Sequence, residues 1–395
     1  MEHRPWPARG VKLMPGLSLY KGVQCSIRHN ISKARINLYP APMRSNIVRQ
    51  ALNPETTNMN PHALLRLALI LTCGILLGAV NSGAQAGTPT VLTVFADDTI
   101  HFDAKTPSKY AHGSVTALDN GREITRTLTL APSDPAQRLA AHLILRPIPK
   151  DEVSVWDPWD RAGNIRLSVP GQPDVEVIKF VTAYGGRAEY RVDVTDLAPI
   201  LKGELTFKAF IDTWVSPAWV VDFSLETMAD SLDRHALWVL PVAYEPSFTR
   251  ERYGDSGLTR TVTIPEGQKR VLLHYFVSGH CTDGQDADEF VKKDNVISVD
   301  GVVVYRYQPW REDCREFRAV NPYTRRWSDG SWSCDYNRSG WCPGDYVRPL
   351  ELDLTDHLTP GTHTVRFAIE NVRPKDKKGQ FGYWRVSAQL LGTDQ

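Results

Sequence analysis

Two short acidic segments of the chain carry side chains suited to acid–base chemistry. The first, VWDPWDRAGN at 155–164, holds two Trp, two Asp and Arg161, and the second contains Asp288 and Glu289. Two carboxylates that share a cleft and have different pKa values can serve as general acid and general base. Trp faces also stack on sugar rings, so the first segment indicates a carbohydrate site. The alternative is a surface turn in which Asp caps backbone amides.

Weak internal repeats place these two segments at equivalent positions of a duplicated unit. Three pairs occur in the same order: ITRTLTL (124–130) with LTRTVTI (258–264), NIRLSVPG (164–171) with NVISVDG (295–301), and VDVTDL (192–197) with LDLTDH (352–357). Asp160 and the pair Asp288–Glu289 both lie just before the second match. If the two copies pack side by side, these loops can meet across a cleft, where ligand sites tend to form.

The elements that must position these loops are strands. ELTFKAFI (204–211) and HTVRFAIENV (363–372) alternate apolar and polar residues, as half-buried strands do. Asp300-Gly301 lies between two β-branched runs and predicts a hairpin. No long segment has a helical period, so the sequence predicts an all-β protein of two tandem antiparallel sandwiches, at 87–241 and 242–395.

The N-terminal part of the chain has the pattern of a secretory signal. Residues 1–58 lack apolar periodicity and are interpreted as a disordered leader or a mis-assigned start. Residues 59–86 contain Arg66, an apolar run and then Ala84-Gln85-Ala86, which predicts cleavage after Ala86. The apolar run is shorter than the ~20 residues of a membrane span. We therefore expect a secreted or periplasmic protein that is not in a membrane once mature.

Charge and cysteine usage narrow the classes of partner and compartment. Residues 1–58 carry nine basic and two acidic residues, a net charge of +7, and 59–86 add only Arg66. Because the whole chain has a net charge of +1, residues 87–395 have a net charge of −7. This negative charge argues against a nucleic-acid partner. Four cysteines follow the predicted cleavage site, at 281, 314, 334 and 342. In a secreted chain they predict two disulfides, with three possible pairings. No Cys or His spacing typical of zinc occurs, so no metal site is predicted.

Residues 90–395 resemble the bacterial peptide-N-glycosidase F amidases. The resemblance rests on WDRAGN (159–164), FVTAYGGRAEYRVDVTDLAPILKG (180–203), DTWVSPAWVVDF (212–223), DEFVKKDNVISV (288–299) and NRSGWCPGDYV (337–347). It implies two eight-stranded antiparallel jelly rolls packed side by side. It also implies hydrolysis of the amide between Asn and the innermost N-acetylglucosamine of an N-glycan, which leaves Asp. The expected substrates are N-glycosylated peptides and denatured glycoproteins, with no cofactor and a monomeric enzyme.

The resemblance also assigns roles to individual residues. It implies that Asp160, oriented by Arg338, is the primary acid/base, and that Glu289 holds the attacking water or shares a proton with Asp160. Asp212 occupies the position of a family Glu, with a shorter reach, and would bind a sugar hydroxyl or support Arg161. The expected substrate-binding residues are Trp159, Arg161, Trp214, Arg338 and Trp341.

Cross-links and alternative functions complete these expectations. The family disulfide that ends in GWCPG corresponds to Cys314–Cys342, which leaves Cys281 with Cys334. Two further family disulfides are lost, at the positions of Asp151 with Trp156 and of Ala287 with Val291.

Two other functions stay open on the sequence alone: a secreted carbohydrate-binding sandwich without catalysis, and an inverting glycosidase, which also uses two carboxylates.

Overall fold

A computed structural model describes most of the chain beyond the expected signal peptide. The described residues are 90–103, 115–133, 137–152, 156–228, 236–283 and 287–393. The expected leader (1–58) and signal peptide (59–86) lie outside them. Within these ranges no helix is long and apolar enough to cross a membrane.

The N-terminal domain is a sandwich of two antiparallel sheets. Its strands are β1 (Val91–Ile100), β2 (Thr116–Leu118), β3 (Glu123–Leu130), β4 (Arg138–Pro147), β5 (Ala162–Ser168), β6 (Val175–Val181), β7 (Ala188–Asp193), β8 (Gly203–Ile211) and β9 (Trp219–Met228). One sheet has the order β1-β9-β4-β7 and the other β6-β5-β8-β3-β2. Short 3₁₀ helices span Asp119–Gly121, Lys150–Glu152 and Thr195–Ile200.

The C-terminal domain repeats this construction. Its elements are β10 (Ala236–Phe248), α1 (Arg250–Tyr253), β11 (Leu258–Ile264), β12 (Arg270–Cys281), β13 (Asn295–Val299), β14 (Val302–Tyr307), β15 (Tyr346–Val347), β16 (Leu350–Asp353), β17 (Gly361–Ile369) and β18 (Gly382–Thr393), with 3₁₀ helices at Cys314–Val320 and Ser333–Asp335. The sheets have the orders β10-β18-β12-β16 and β11-β17-β13-β14. The short β15 instead pairs with β6 and extends a sheet of the N-terminal domain.

Both domains have the same topology, so the predicted duplication and all-β fold are confirmed. If the short β2 and β15 are set aside, eight strands remain in each domain. When these eight are counted from 1 to 8 along each domain, both domains have the order 1-8-3-6 in one sheet and 2-7-4-5 in the other. The three repeats fall on equivalent strands: β3 with β11, β5 with β13, and the ends of β7 and β16. The repeats are therefore traces of two jelly rolls built on one plan.

The pairing of β10 bears on the predicted boundary between the two domains. The expected break between residues 241 and 242 falls inside β10, which pairs with β18 from Ala236 to Phe248. Because strand pairing assigns all of β10 to the second sandwich, we propose that the C-terminal domain begins no later than Ala236.

Local sequence patterns account for the strand ends and the cores. Asp300 (φ 48°) and Gly301 (φ 83°) both have positive φ, as a type I′ turn between β13 and β14 requires, so the predicted hairpin is confirmed. In β8, alternate side chains are buried between the sheets. Each domain has its own core, and the core of the first is joined by four residues of the second domain: Ala236, Val239, Leu272 and Leu391.

A buried polar network ties the two sandwiches together. Lys179 of β6 donates from Nζ to the carbonyl of Arg385 (2.7 Å) and lies 3.5 Å from Glu176. Glu176 also accepts hydrogen bonds from Ser387 (2.6 Å) and Asn164 (2.8 Å). Burial lowers the pKa of Lys179 to about 8, although Glu176 opposes the shift. The carboxylate of Glu176 is thus paired with a lysine that is itself buried.

Replacing Lys179 with Met is expected to lower the free energy of unfolding by about 3 kcal/mol, because Glu176 would remain buried without the cation that acts on it most strongly. Lys208→Met is the matched control, since Lys208 lies 2.9 Å from Asp174 but keeps 21% of its side chain exposed. We expect that change to cost less than about 1 kcal/mol. Chemical denaturation compares the two variants, and equal losses would contradict a special role for the buried lysine.

Candidate active site

The two acidic loops singled out in the sequence face one cleft between the domains. Asp160 precedes β5 and Glu289 precedes β13, the fourth strand of each jelly roll. Both side chains line an open cleft with a volume of about 690 Å³. The duplicated topology therefore brings together two carboxylates that are far apart in the chain.

Arg338 bridges the two carboxylates. Its Nη2 lies 3.6 Å from Oδ2 of Asp160, and its Nε lies 3.3 Å from Oε1 of Glu289. The guanidinium is 1% exposed, whereas each carboxylate keeps 14% of its side chain exposed. One buried cation thus holds two partly accessible acids, one from each domain.

The position of Arg338 is fixed by backbone carbonyls and aromatic rings that surround its guanidinium. Its Nη1 donates to the carbonyl of Tyr336 (2.9 Å) and its Nη2 to the carbonyl of Ser333 (2.9 Å). Its Cζ lies over the rings of Phe290 (5.1 Å) and Trp341 (4.8 Å). Trp341 was expected to bind substrate, but it is only 2% exposed and donates from Nε1 to a backbone carbonyl (2.8 Å). The ring lines the floor of the cleft and packs against Arg338, and its expected contact with substrate stays a prediction.

Burial shifts the ionisation of both acids in the same direction. The pKa of Glu289 is raised to about 7 because burial disfavours the carboxylate; Arg338 opposes this shift and the charge of Asp160 adds to it. The pKa of Asp160 is also raised by burial, against the effects of Arg338 and of a hydrogen bond from Tyr184. Between the two pKa values the pair carries one proton.

Tyr184 is a site residue that the sequence reasoning did not assign. Its side chain hydrogen-bonds to Asp160, and its hydroxyl accepts a hydrogen bond from Nη2 of Arg338 (3.4 Å). The ring is 8% exposed. Tyr184 lies in the segment FVTAYGG (180–186), but nothing in the local sequence distinguishes it from an ordinary core tyrosine. Only the fold shows that it contacts both members of the ion pair.

Arg161 and Asp157 form a rigid base for the first acidic loop. Nε of Arg161 lies 3.1 and 3.0 Å from the two carboxylate oxygens of Asp157, and Nη2 lies 2.9 Å from one of them. Thr213 donates to the same carboxylate (2.6 Å). The proposed support of Arg161 by Asp212 is therefore wrong, because Asp157, buried beneath the loop, fills that role.

Asp212 instead belongs to a cluster at the edge of the cleft. Its Oδ1 lies 3.0 Å from Nη1 of Arg122, whose Cζ lies 4.6 Å from the ring of Trp214. Asp212 is 28% exposed at its side chain. The carboxylate is thus accessible and held by a neighbouring cation. Arg122 is a second residue of the cleft edge that no local sequence pattern singles out.

Two tryptophans offer their faces to the cleft. Trp159 is 57% exposed and Trp214 is 58% exposed, and both line the cleft. Both residues therefore stand where a flat apolar ligand face could pack.

The neighbouring acid Asp288 has a structural role. Although it precedes Glu289 in the chain, it is fully buried, and it accepts hydrogen bonds from Nε1 of Trp384 (2.8 Å) and from the backbone amide of Arg373 (2.9 Å). It therefore anchors the second acidic loop to β18, while Glu289 supplies the carboxylate that faces the cleft.

One of the two expected disulfides is present. Cys314 and Cys342 are bonded, as expected. Cys281 and Cys334 are thiols, and the expected bridge between them is wrong. Sγ of Cys281 lies 3.4 Å from Oε2 of Glu289, whereas Sγ of the fully buried Cys334 lies 3.3 Å from Oδ1 of Asp335. The two sulfur atoms face different carboxylates.

Aromatic packing involves Trp156, at a position where the resemblance implies a lost disulfide. Trp156 packs edge-on against Tyr323 with ring centroids 4.3 Å apart. A Cβ built on Gly185 would lie 2.6 Å from the Trp156 ring and 2.7 Å from the Tyr323 ring, so the turn after β6 must carry glycine to admit both. This contact joins the loop of Asp160 to the C-terminal domain.

One group of described residues outside the cleft has the composition of a metal site. Asp196, His274 and Glu351 offer ligand atoms within 4.8 Å of one another. Nε2 of His274 lies 3.2 Å from the carboxylate of Glu351 and 3.9 Å from that of Asp196. A hydrogen bond between His274 and Glu351 accounts for the shortest of these contacts between the domains, and none of the three residues lines the cleft.

The two tandem jelly rolls place this chain among two-domain β-sandwich proteins. The family model "Peptide-N-glycosidase F, N terminal" matches residues 167–227, and "Peptide-N-glycosidase F, C terminal" matches 249–391. Together these matches cover just over half of the chain, which belongs to the peptide-N-glycosidase F family.

Individual relatives agree with this assignment. The peptide-N(4)-(N-acetyl-beta-D-glucosaminyl)asparagine amidase F of Elizabethkingia miricola is 24% identical over 253 residues, which are 60% of this chain and 69% of that protein. The PNGF-II structure has a TM-score of 0.68 at 23% identity over 77% of this chain, which spans 65% of PNGF-II. PNGase F of Flavobacterium meningosepticum, a glycosylasparaginase, has a TM-score of 0.60 at 16% identity, with coverages of 78% and 97%. The structural likenesses establish the fold.

Proposed function

We propose that this protein is a peptide-N-glycosidase that hydrolyses the amide between Asn and the innermost N-acetylglucosamine of N-glycans on peptides and denatured glycoproteins. The observation that carries the proposal is the pair Asp160 and Glu289, which comes from equivalent loops of the two domains and is bridged by buried Arg338. Membership in the peptide-N-glycosidase F family supports the same reaction.

The proposed chemistry uses the pair to move protons around one carbon atom. Water adds to the side-chain carbonyl carbon of the glycosylated Asn, its proton passes to a carboxylate, and the C–N bond breaks as the nitrogen is protonated. Asp160 acts beside the glycosylamide, and Glu289 holds the water or shares its proton with Asp160. The products are Asp in the peptide and the whole glycan as its glycosylamine. The arrangement requires no cofactor.

The rim of the cleft is suited to holding the glycan. Trp159 and Trp214 expose aromatic faces on which sugar rings can stack. Asp212, paired with Arg122 and still accessible, can accept a hydrogen bond from a sugar hydroxyl. In this proposal Arg161 orients the loop through Asp157 rather than binding the substrate directly.

One glycopeptide assay tests the proposal against both alternatives. The protein is incubated with an N-glycopeptide, and peptide and glycan are then analysed by mass spectrometry. An amidase converts the acceptor Asn to Asp and releases the intact glycan. A glycosidase would leave sugar on Asn, and a non-catalytic carbohydrate-binding protein would leave the glycopeptide unchanged; either result would overturn the proposal.

The raised pKa values predict a bell-shaped dependence of kcat/KM on pH. If the pair is active with one proton, activity should rise as the first proton leaves, above the usual range of an Asp, and should fall as the last proton leaves near pH 7. Steady-state rates across the pH range, with stability checked at each pH, measure the two limbs. Activity that keeps rising well above pH 7 would contradict the one-proton state.

The same proposal includes export. The pattern of residues 59–86 favours cleavage after Ala86, and a disulfide between Cys314 and Cys342 is typical of proteins in oxidising compartments. We therefore propose that the active form works in the periplasm or the medium.

A further inference from the structure

A cysteine thiol lies against one of the two bridged carboxylates. Cys281 is the last residue of β12, is partly accessible and lines the cleft. Its Sγ donates a hydrogen bond to Oε2 of Glu289 (3.4 Å). The other oxygen, Oε1, faces Nε of Arg338 at 3.3 Å. The two oxygens of this carboxyl group are therefore held by two different donors.

This double contact restricts a torsion that is otherwise loosely defined. The last torsion of a Glu side chain has a broad energy profile, so one donor alone leaves the plane of the carboxyl group free to rotate. The backbone of Glu289 is fixed by the hydrogen bond from the Ser339 amide to its carbonyl (2.9 Å). With Arg338 on one oxygen and Cys281 on the other, the carboxyl plane is fixed as well.

We propose that Cys281 is a positioning residue of the active site: its thiol orients the carboxyl group of Glu289 and stabilises its ionised form while Arg338 holds the opposite oxygen. This inference rests on the proposed amidase function. It assigns a role in catalysis to a cysteine that does not form a disulfide.

Several groups from other elements also face Glu289 and set the background for its titration. They are Arg338, Asp160, Tyr184 and Tyr383. Arg338 and the thiol lower the pKa of Glu289, while burial and Asp160 raise it. Removal of the thiol leaves the other groups in place, so the pKa of Glu289 should move further upward.

The test compares Cys281→Ala with Cys281→Ser, which keeps a hydrogen-bond donor at that position. In Cys281→Ala we expect the high-pH limb of kcat/KM to move upward by about 0.5–1 pH unit, the amount that an ordinary hydrogen bond provides. Cys281→Ser should return the limb close to its wild-type position. Cys334→Ala is the matched control, because that thiol is fully buried against Asp335, and it should leave the profile unchanged.

A second measurement is independent of turnover. Carbon-13 NMR of labelled Glu side chains follows the titration of Glu289 in the wild type and in the three variants, with Glu289→Gln used to assign its resonance. An upward shift in Cys281→Ala alone supports the proposal. Equal titration in the wild type and Cys281→Ala, or the same shift in Cys334→Ala, overturns it. A wild type without amidase activity would refute the proposed function, and the NMR titration would still decide the role of Cys281.

Discussion

Replacing Asp160 with Asn should reduce turnover of a glycopeptide by about 10²–10⁴-fold, the usual effect of losing one positioned acid/base group. Asn keeps the size of the side chain but can neither take up a proton nor pair ionically with Arg338, which lies 3.6 Å away. Binding of the glycopeptide should persist, because the exposed Trp159 and Trp214 are unchanged. Steady-state rates and a binding titration with the inactive variant measure the two effects separately.

Asp212→Asn is the matched control for this experiment. It makes the same chemical change in the same cleft, at a carboxylate that pairs with Arg122 rather than with Arg338. We expect a smaller loss, partly in binding. A folded Asp160→Asn protein that retained more than about a tenth of wild-type turnover would contradict the role of Asp160 as an acid/base group.

Glu289→Gln should lower turnover by about as much as Asp160→Asn, since water positioning and proton sharing fail together. Because both acids are bound to one guanidinium, the double variant should lose little more than either single variant. Rates of the wild type, the two single variants and the double variant form the double-mutant cycle. Losses that multiply in the double variant would show that the two carboxylates act independently.

The fold could be predicted from the sequence because its determinants are local. The alternation in β8 and the Asp300–Gly301 turn are decided by near neighbours, and the matches between β3 and β11 and between β5 and β13 preserve the order of the strands. Pseudo-symmetry then accounts for the meeting of Asp160 and Glu289. Because the two domains share one strand order, the loops before β5 and β13 lie at the same end of their respective sandwiches.

The partners within the site could not be predicted in the same way. Arg122 lies 90 residues from Asp212 in the chain, and Tyr184 lies 154 residues from Arg338. Such contacts depend on how two sandwiches pack and on where each side chain points. Trp341 illustrates the same limit, because its residue type fits both sugar stacking and a buried floor, and its 2% exposure is visible only in the structure.

The cysteines show a related limit. Four cysteines in one segment are consistent with two bridges, and pairing by elimination joined Cys281 to Cys334. Disulfide formation requires two Cβ atoms about 4 Å apart, which sequence spacing does not report. In the structure each of these thiols instead faces a carboxylate, that of Glu289 or Asp335.

The most direct test of the central claim is hydrolysis of an N-glycopeptide in heavy-oxygen water by the wild type, with the Asp160→Asn variant as control. The peptide product is sequenced by tandem mass spectrometry. Amide hydrolysis at the glycosylated residue predicts that the acceptor Asn becomes Asp with one heavy oxygen in its new carboxyl group, that the glycan leaves intact with its innermost N-acetylglucosamine, and that the variant is nearly inactive. A peptide that retains N-acetylglucosamine on Asn, or that is recovered unchanged after incubation with folded wild-type protein, would contradict the account.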